Sequence, residues 1–250
     1  MKYLGKTLLT LIFAAGFSLS AAAQDARTGD YYDPIESFNR GVFGFNNFVD
    51  IYFLDPVTDG YRFVVPDGGR SMVSNFIRNL REPLNIANNL LQGDLDGAYN
   101  STFRMITNSF AGFGGLLDVA GREGYIYEYE SLDQTLAVYG LPQGPYLVLP
   151  LIGPGSTSGH ASLFAEGFAD PFNRWAINTD QEEWIVVRQA TQVLNSKDQF
   201  VDVQRDLRVN SSDYYAAVRN ILFQQGQNLI YEGRAPLDAS SEIPDYDEDF

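Results

Sequence analysis

The stretch "GLPQGPYLVLPLIGPGSTSG", residues 140–159, combines an apolar centre with residues that interrupt regular structure. Its four prolines and five glycines exclude a helix and leave room for only a very short strand. Its apolar centre has to be sheltered from water. The rest of the fold must therefore provide surroundings that suit an apolar and irregular segment.

Most of the remaining chain shows helical periodicity. We expect a first helix that opens at Asp33-Pro34 and ends at Pro56, because proline suits the first turn of a helix and interrupts its interior. A second helix is expected over about 71–82. Pro83 then starts a third helix, which Gly93 closes.

The later helices are predicted from their capping residues. Asp94 can cap a fourth helix, and Ser212 a last one that Gly233 ends. Thr179 to Glu182 form a capping-box pattern at the start of a long helix. With no internal repeat and no linker, the sequence predicts one all-α domain.

Asparagine is unusually frequent in the predicted helices. Ten asparagines fall between residues 39 and 108, although asparagine is a poor residue for helix interiors. Several lie beside phenylalanine, as in Phe45-Asn46-Asn47-Phe48. Any single asparagine could be a cap or a core hydrogen-bonding residue. As a set they indicate helices with apolar residues outside and a polar stripe inside, the inverse of a helix in a soluble protein.

The two ends of the chain differ from its middle. Lys2 and Lys6 precede an apolar run and Ala21-Ala22-Ala23, which predicts a signal peptide over 1–23 cleaved after Ala23. A membrane anchor is the alternative, but the run is shorter than the roughly 20 residues that a span needs. A short segment over 24–32 and a helical domain over 33–234 follow. Residues 235–250 are predicted to be a disordered acidic tail, or a docking tail for a basic partner.

Charge and composition exclude several kinds of partner. The formal net charge is −15, so nucleic acid is a poor partner. The chain has no cysteine and one histidine, which argues against disulfides and against zinc or haem-thiolate sites. We therefore predict no metal and no cofactor.

Catalytic motifs are weak in this sequence. "GSTSG" at 155–159 resembles a nucleophile elbow, but its centre is Thr157 and no strand is predicted before it. A dyad of Ser158 and His160 could still be drawn. Gly112 to Gly115 lack the basic residues of a phosphate loop and indicate a bend. The sequence predicts a protein that is not an enzyme.

Motifs spread from Asp33 to Gly233 resemble one family, the MlaA (VacJ) outer-membrane phospholipid-transport lipoproteins. The resemblance lies in the following residues, in chain order: Asp33-Pro34, Glu36, Phe38-Asn39-Arg40, Phe45-Asn46, Pro56, Tyr61-Arg62, Val65-Pro66, "SNFIRNLREP", Asn88, Leu91-Gln92-Gly93, Arg104, Asn108, Gly112 to Gly115, Asp118-Val119-Ala120, Gln134-Thr135-Leu136, Gly144-Pro145-Tyr146, Leu149-Pro150 and Gly153-Pro154. Each motif is weak alone, but so many in register are specific.

The resemblance implies an all-α, ring- or disc-shaped domain that lies in the inner leaflet of the outer membrane and contains an amphipathic channel. It implies that mislocalised phospholipids leave the outer leaflet through this channel and pass to a periplasmic lipid-carrier protein. Trimeric porins are the implied partners, and the periplasmic face of the outer membrane is the implied location. A proline- and glycine-rich apolar segment can face lipid there if its backbone groups turn toward protein or a wet cavity.

The resemblance also suggests which residues line the lipid pathway. For its polar side we expect Asn39, Arg40, Asn46, Asp50, Asn75, Asn79 and Arg104, with the arginines suited to phosphate. For its apolar wall or gate we expect Phe76, Phe113, Leu147 and Leu149. A packed core network of polar residues is the alternative for the first set.

The chain departs from the family pattern at a few positions. The family carries a lipidated cysteine after the signal, whereas Gln24 would begin an unlipidated mature protein here. Gly159-His160 replace an Arg-Asp pair, and Tyr214 replaces a proline. Membrane attachment would then depend on the apolar rim of the ring. A soluble periplasmic lipid-binding or scaffold protein is the alternative, and a hydrolase using Ser158 and His160 is a third.

Overall fold

The structure of the protein is a computed structural model that describes residues 31–231. The predicted signal peptide, its cleavage site, the acidic tail and the helix end at Gly233 lie outside the described residues. The described helices are α1 (Glu36–Val49), α2 (Asp55–Val64), α3 (Asp67–Gln92), α4 (Leu95–Phe110), α5 (Val119–Arg122), α6 (Leu132–Val138), α7 (Thr157–Ala169), α8 (Pro171–Asn178), α9 (Glu183–Asn210) and α10 (Tyr214–Tyr231). The fold is mostly helical, as predicted.

The first helix does not end at Pro56, contrary to our prediction. A π-helical turn over Asp50–Leu54 joins α1 to α2 without a break. Pro56 lies in the first turn of α2, directly after this wider turn. Proline is tolerated in the first turn of a helix because its missing N–H breaks no hydrogen bond there. The helix therefore continues from the π-helical turn through Pro56.

Pro83 does not start a new helix either. It lies inside α3, which runs unbroken from Asp67 to Gln92 and packs along α4. The packing of the longer helix outweighs the one lost backbone bond. The end of α3 was predicted correctly, since Gly93 takes a left-handed conformation with φ 78°. Asp94 caps α4 as expected, accepting from the Gly97 N–H at 3.0 Å.

The caps of the last two helices differ from the predicted ones. The capping box does not form, because the Thr179 hydroxyl donates back to the Trp175 carbonyl and so closes α8. Helix α9 begins at Glu183 without a side-chain cap. Asp213, rather than Ser212, accepts from the Ala216 N–H at the start of α10, at 3.1 Å.

The proline- and glycine-rich segment forms a small antiparallel hairpin, with β1 (Tyr146–Leu149) paired to β2 (Gly153–Ser156). Strand β2 runs directly into α7, so the expectation that no strand precedes "GSTSG" is wrong. The Ser156 hydroxyl caps α7 by accepting from the Gly159 N–H at 2.7 Å. The prediction of a very short strand is confirmed. The exclusion of a helix is wrong for the last three residues of the segment, because Thr157 to Gly159 begin α7.

A small apolar core lies beneath this hairpin. Tyr146 and Val148 of β1 are fully buried, and they cluster with Tyr31 and Tyr215. Tyr31 and Tyr146 place their ring centroids 5.5 Å apart. The core therefore joins the hairpin to the first described residues and to α10, rather than extending between all the helices.

Candidate functional site

Charged side chains are paired in the interior between α3 and α4. Arg104 is 2% exposed, and its Nε lies 3.0 Å from the carboxylate of Glu82, which is 1% exposed. Arg104 also contacts Asp118 at 3.2 Å and donates to the Tyr125 carbonyl. Burial raises the pKa of the Glu82 carboxyl. Two charges this deep are tolerated because each satisfies the other.

A second ionic cluster ties the π-helical turn to α9. Lys197 Nζ lies 3.0 Å from the carboxylate of Asp50 and 2.8 Å from that of Asp55. Arg208 contacts Asp55 at 3.0 Å. The predicted pathway residue Asp50 is thus part of an ion-pair network that connects the π-helical turn and the start of α2 to α9.

A third cluster joins α3 to α7. Arg81 pairs with Glu166 at 2.9 Å, and the other oxygen of Glu166 accepts from Asn88 at 3.2 Å. The Leu132 N–H donates to the same carboxylate at 2.7 Å. Glu166 is therefore fully engaged, by two side chains of α3 and by one backbone N–H of α6.

Large apolar side chains cover the outside of the described fold. Phe63 is 91% exposed, Phe110 87% and Phe113 76%. The aromatic residues of α1 and the π-helical turn add to this surface, and the rings of Phe48 and Tyr52 lie 4.8 Å apart. Apolar area on this scale marks a surface that contacts a membrane or another protein.

The described fold is therefore polar inside and apolar outside, as the asparagine pattern predicted. Fully buried asparagines in α1 and α3 lie beside exposed phenylalanines and leucines, as Asn39 does beside Phe38 and Asn89 beside Leu90. Over residues 31–231, every helix is too short or too polar to cross a bilayer.

Two predicted pathway residues, Asn39 and Asn46, bind the backbone of the hairpin. Asn39 accepts from the Val148 N–H at 3.0 Å and donates to the Tyr146 carbonyl at 3.1 Å. Asn46 accepts from the Leu151 N–H at 2.8 Å and donates to the Leu149 carbonyl at 2.9 Å. These carboxamides satisfy backbone groups of a segment that cannot extend its own sheet.

Arg40 lies on the same helix as these asparagines but points to a different set of partners. It pairs with Glu36 at 2.6 Å and with Asp213 at 2.7 Å, and its side chain is 40% exposed. Its guanidinium lies 4.4 Å from the ring centroid of Tyr215. Arg40 therefore links α1 to the start of α10 at the surface.

A second group of predicted residues surrounds the glycine-rich loop, residues 111–118 between α4 and α5. Asn75 donates to the Leu116 carbonyl at 3.2 Å, and Asn79 donates to the Ser109 hydroxyl at 3.0 Å. Phe76 is 40% exposed on α3, and Phe113 stands out from the loop with φ 54°. The predicted site residues thus fall into a hairpin group and a loop group, with Arg40, Asp50 and Arg104 in three separate ionic clusters.

His160 is a contact that we did not anticipate. The imidazole Nε2 lies 3.1 Å from the Leu147 carbonyl oxygen, so the His160 side chain connects α7 to β1. Burial lowers the pKa of its imidazole. Ser158 and His160, both within the described part, form no hydrogen bond with each other, so the geometry of a catalytic dyad is not present.

A cleft of about 220 Å³ opens between the hairpin, α6, α7 and α10. None of the predicted pathway residues lines it. Asp133, Gln143 and Ser162 form part of its polar lining. Two stretches noted in the sequence contribute to the lining: Gln134 of the Gln134-Thr135-Leu136 motif, and Gly155, Ser156 and Gly159 of "GSTSG". In residues 31–231 no group of three or more histidine or acidic side chains is arranged to hold a metal ion.

Comparison with known proteins agrees with this architecture. The family model MlaA lipoprotein matches residues 31–229. The protein of Escherichia coli (strain K12) named intermembrane phospholipid transport system lipoprotein MlaA is 34% identical over 227 residues, covering 89% of this chain and 84% of its own. An uncharacterized protein of Rickettsia bellii (strain RML369-C) is 35% identical over 200 residues, covering 78% of this chain and 75% of its own.

A solved structure, reported under "Structural basis for maintenance of bacterial outer membrane lipid asymmetry", superposes with a TM-score of 0.67 at 33% identity. It covers 79% of this chain and 98% of its own. The family match spans nearly all the described residues and so includes both the hairpin and the glycine-rich loop. The helical fold, with its polar interior and apolar exterior, agrees with these matches. This chain belongs to the MlaA family.

Proposed function

We propose that this protein transports phospholipids and maintains the lipid asymmetry of the outer membrane. It removes mislocalised phospholipids from the outer leaflet through an amphipathic channel and passes them to a periplasmic lipid-carrier protein. The observation that carries this proposal is the inverted fold, which buries ion pairs and carboxamides while it exposes phenylalanines. The name of the Escherichia coli relative supports the same role.

The apolar exterior would hold the protein in the inner leaflet of the outer membrane. Each fully buried phenylalanine contributes about 1.5–3 kcal/mol when it leaves water, and Phe63, Phe110 and Phe113 are among the most exposed. Such a rim can attach a ring- or disc-shaped domain at the periplasmic face without a lipidated cysteine, which this sequence does not contain. A trimeric porin is the partner that we propose for the same rim.

The polar residues would lower the barrier to headgroup movement. Carrying a charged headgroup through hydrocarbon is slow because its burial without hydrogen bonds is costly. Among the proposed pathway residues, Arg40 has a 40% exposed side chain, and a phosphate that bound its guanidinium would replace the carboxylates of Glu36 and Asp213. Asn75, Asn79, Asp50 and Arg104 complete the proposed polar side.

Asn39 and Asn46 would act on the pathway through the hairpin. Because their carboxamides bind its backbone, they fix the position of Leu147 and Leu149, the proposed apolar gate. Phe76 and Phe113 form the second part of the proposed wall, at the glycine-rich loop. The gate and the wall therefore depend on carboxamide contacts at their base.

The test is the amount of phospholipid exposed at the surface of cells with and without the gene, measured by products of an added phospholipase. We expect a rise on deletion that the intact protein reverses. No change, in a strain without a second family member, would contradict transport. Recovery of the mature protein in the soluble periplasmic fraction, and not in the outer-membrane pellet after a high-salt wash, would favour the soluble lipid-binding or scaffold alternative.

A further inference from the structure

The cleft beside the hairpin has an acidic, polar base. Asp133 of α6, Ser162 of α7 and Gln143 of the loop before β1 contribute polar side chains to its lining. Glu166 also lines it, but Arg81 and Asn88 already engage that carboxylate. Asp133 is therefore the acidic group that remains available to a ligand.

Asp133 lacks a cationic partner. Burial raises the pKa of the Asp133 carboxyl, and hydrogen bonding from Ser158, Gln143 and Ser156 opposes that rise. The Gln143 bond reaches Oδ2 at 3.1 Å, while Oδ1 is buried and has no hydrogen-bond partner of normal geometry within the described fold. Among residues 31–231, no lysine, arginine or histidine nitrogen lies within 4 Å of this carboxylate. The buried acids Glu82 and Asp170 differ in this respect, since Arg104 and Arg188 pair with them.

A second polar group in the cleft is also without a partner. Ser162 is 3% exposed, and its buried Oγ makes no hydrogen bond with the rest of residues 31–231. Buried polar groups nearly always have a hydrogen-bond partner, and for a hydroxyl in a cleft lining that partner can be a ligand. Gln143 cannot supply the bond to Oδ1, because its amide is held between Asp133 and the Tyr31 hydroxyl, at 3.2 Å from the latter.

The walls of the cleft are apolar and aromatic. Leu163, Leu222 and Leu229 can contact methylene groups, and Tyr31 and Tyr129 add aromatic rings. The leucines favour hydrocarbon. The Tyr129 ring already holds the Arg81 guanidinium, 4.2 Å from its centroid, so the attraction for a cation comes from the Asp133 carboxylate. The lining as a whole suits a ligand with a positive end and a carbon chain.

We propose that this cleft binds the primary ammonium group of an aminophospholipid headgroup, which donates to Asp133 Oδ1 and to Ser162 Oγ. The assignment rests on the proposed transport of phospholipids and adds a headgroup preference to it. A quaternary ammonium has no N–H to donate, and an anionic headgroup would meet the negative charge of Asp133. The expected order of preference is ethanolamine, then choline, then glycerol headgroups.

The experiment measures which lipids the protein takes up from mixed membranes. Purified full-length protein is incubated with vesicles of equal parts phosphatidylethanolamine, phosphatidylcholine and phosphatidylglycerol, recovered by affinity capture, and its bound lipids are quantified by mass spectrometry. We expect a several-fold enrichment of phosphatidylethanolamine over the vesicle composition. The isosteric variant Asp133→Asn should lose this enrichment, and Ser162→Ala should reduce it.

The matched control is Asp96→Asn, which removes the same charge at an exposed position of α4. It should keep the enrichment of the unmodified protein, and circular dichroism should show the same helix content for all variants. Bound lipid without an ethanolamine preference, or a preference that survives Asp133→Asn, would overturn the headgroup assignment while leaving transport intact. If the unmodified protein bound no phospholipid, both proposals would fail.

A further arm separates a lipid headgroup from a free amine. Glycerophosphoethanolamine carries the same ammonium group without acyl chains. At millimolar concentration it should leave the bound phosphatidylethanolamine in place, because it cannot use the leucine walls. Complete displacement by the soluble compound would mean that the cleft serves a free amine, and would overturn the lipid assignment.

Discussion

Asn39 accepts a hydrogen bond from the Val148 N–H at 3.0 Å, across 109 residues of sequence. Together with its bond to the Tyr146 carbonyl at 3.1 Å, the carboxamide pairs with β1 in the way that a third strand would. Asn39 is fully buried, so water cannot replace these bonds. The position of the hairpin therefore depends on this side chain, together with Asn46 farther along α1.

Asn39→Asp should destabilise the protein by about 3–5 kcal/mol, the cost of an uncompensated buried charge. The new carboxylate would lose the donor to the Tyr146 carbonyl and would face the carboxylate of Asp33, which now accepts from Asn39 at 2.7 Å. Denaturant unfolding measures the change. Asn228→Asp, at an exposed position of α10, is the control and should stay near the unmodified value. Equal stability of the two variants would contradict the role of Asn39.

Glu82→Gln should also destabilise the fold, by about 2–5 kcal/mol, because it leaves Arg104 with less negative charge in a buried position. The double variant Glu82→Leu with Arg104→Met should recover a large part of this loss, since it removes both charges. Chemical unfolding of both proteins tests the pair. A double variant that is less stable than the single one would show that the polar bonds of this cluster matter more than its charge balance.

His160 should make stability depend on pH in the weakly acidic range. Its folded pKa is lowered by burial, so the unfolded chain binds the proton first as the pH falls. The contribution of His160 to the free energy of unfolding is complete above the pKa of about 6.5 that a histidine has in the unfolded chain. It is lost as the pH falls from about 6.5 through the lower pKa that His160 has in the folded protein. His160→Gln can still donate to the Leu147 carbonyl but cannot titrate. The variant should therefore show a smaller loss of unfolding free energy below pH 6.5, and identical slopes would contradict this.

Gly115 and Gly114 form a matched pair in the glycine-rich loop. Both have positive φ, 93° and 72°, but only Gly115 faces a neighbour, with Asn79 Cβ 2.6 Å from the place where its own Cβ would lie. Gly114→Ala should cost about 1–2 kcal/mol of backbone strain. Gly115→Ala should cost clearly more, because Asn79 must move as well. Similar unfolding midpoints for the two variants would show that the loop shifts freely against α3.

Exposed phenylalanines should control attachment to lipid. Phe63→Ser and Phe110→Ser each remove a large apolar side chain from the surface, and each should weaken vesicle binding about ten- to hundredfold by the transfer free energy of a phenylalanine. Co-sedimentation with vesicles measures the partition. Gln189→Ser is the control at an exposed polar position. Unchanged partition of both phenylalanine variants would place the lipid-contacting surface elsewhere.

Features governed by neighbours in sequence were predictable. Gly93 and Asp94 mark the end of α3 and the start of α4 because a left-handed residue and a capping carboxylate act within one turn. The prolines were less informative. Pro56 and Pro83 both lie in continuous helix, since a π-helical turn and the packing of α3 against α4 compensate for the missing N–H.

The sequence by itself determined that the protein is helical, that its asparagines turn inward beside outward phenylalanines, and that the centre of its proline- and glycine-rich segment has room only for very short strands. Only the tertiary structure decided which groups those asparagines bind, because Asn39 and Val148 are far apart in the chain and no local pattern encodes their contact. The cleft around Asp133 is likewise formed only by the tertiary structure. Its lining comes from residues between Tyr31 and Leu229, and a carboxylate oxygen without a partner becomes visible only when every neighbour that could have bound it is in place.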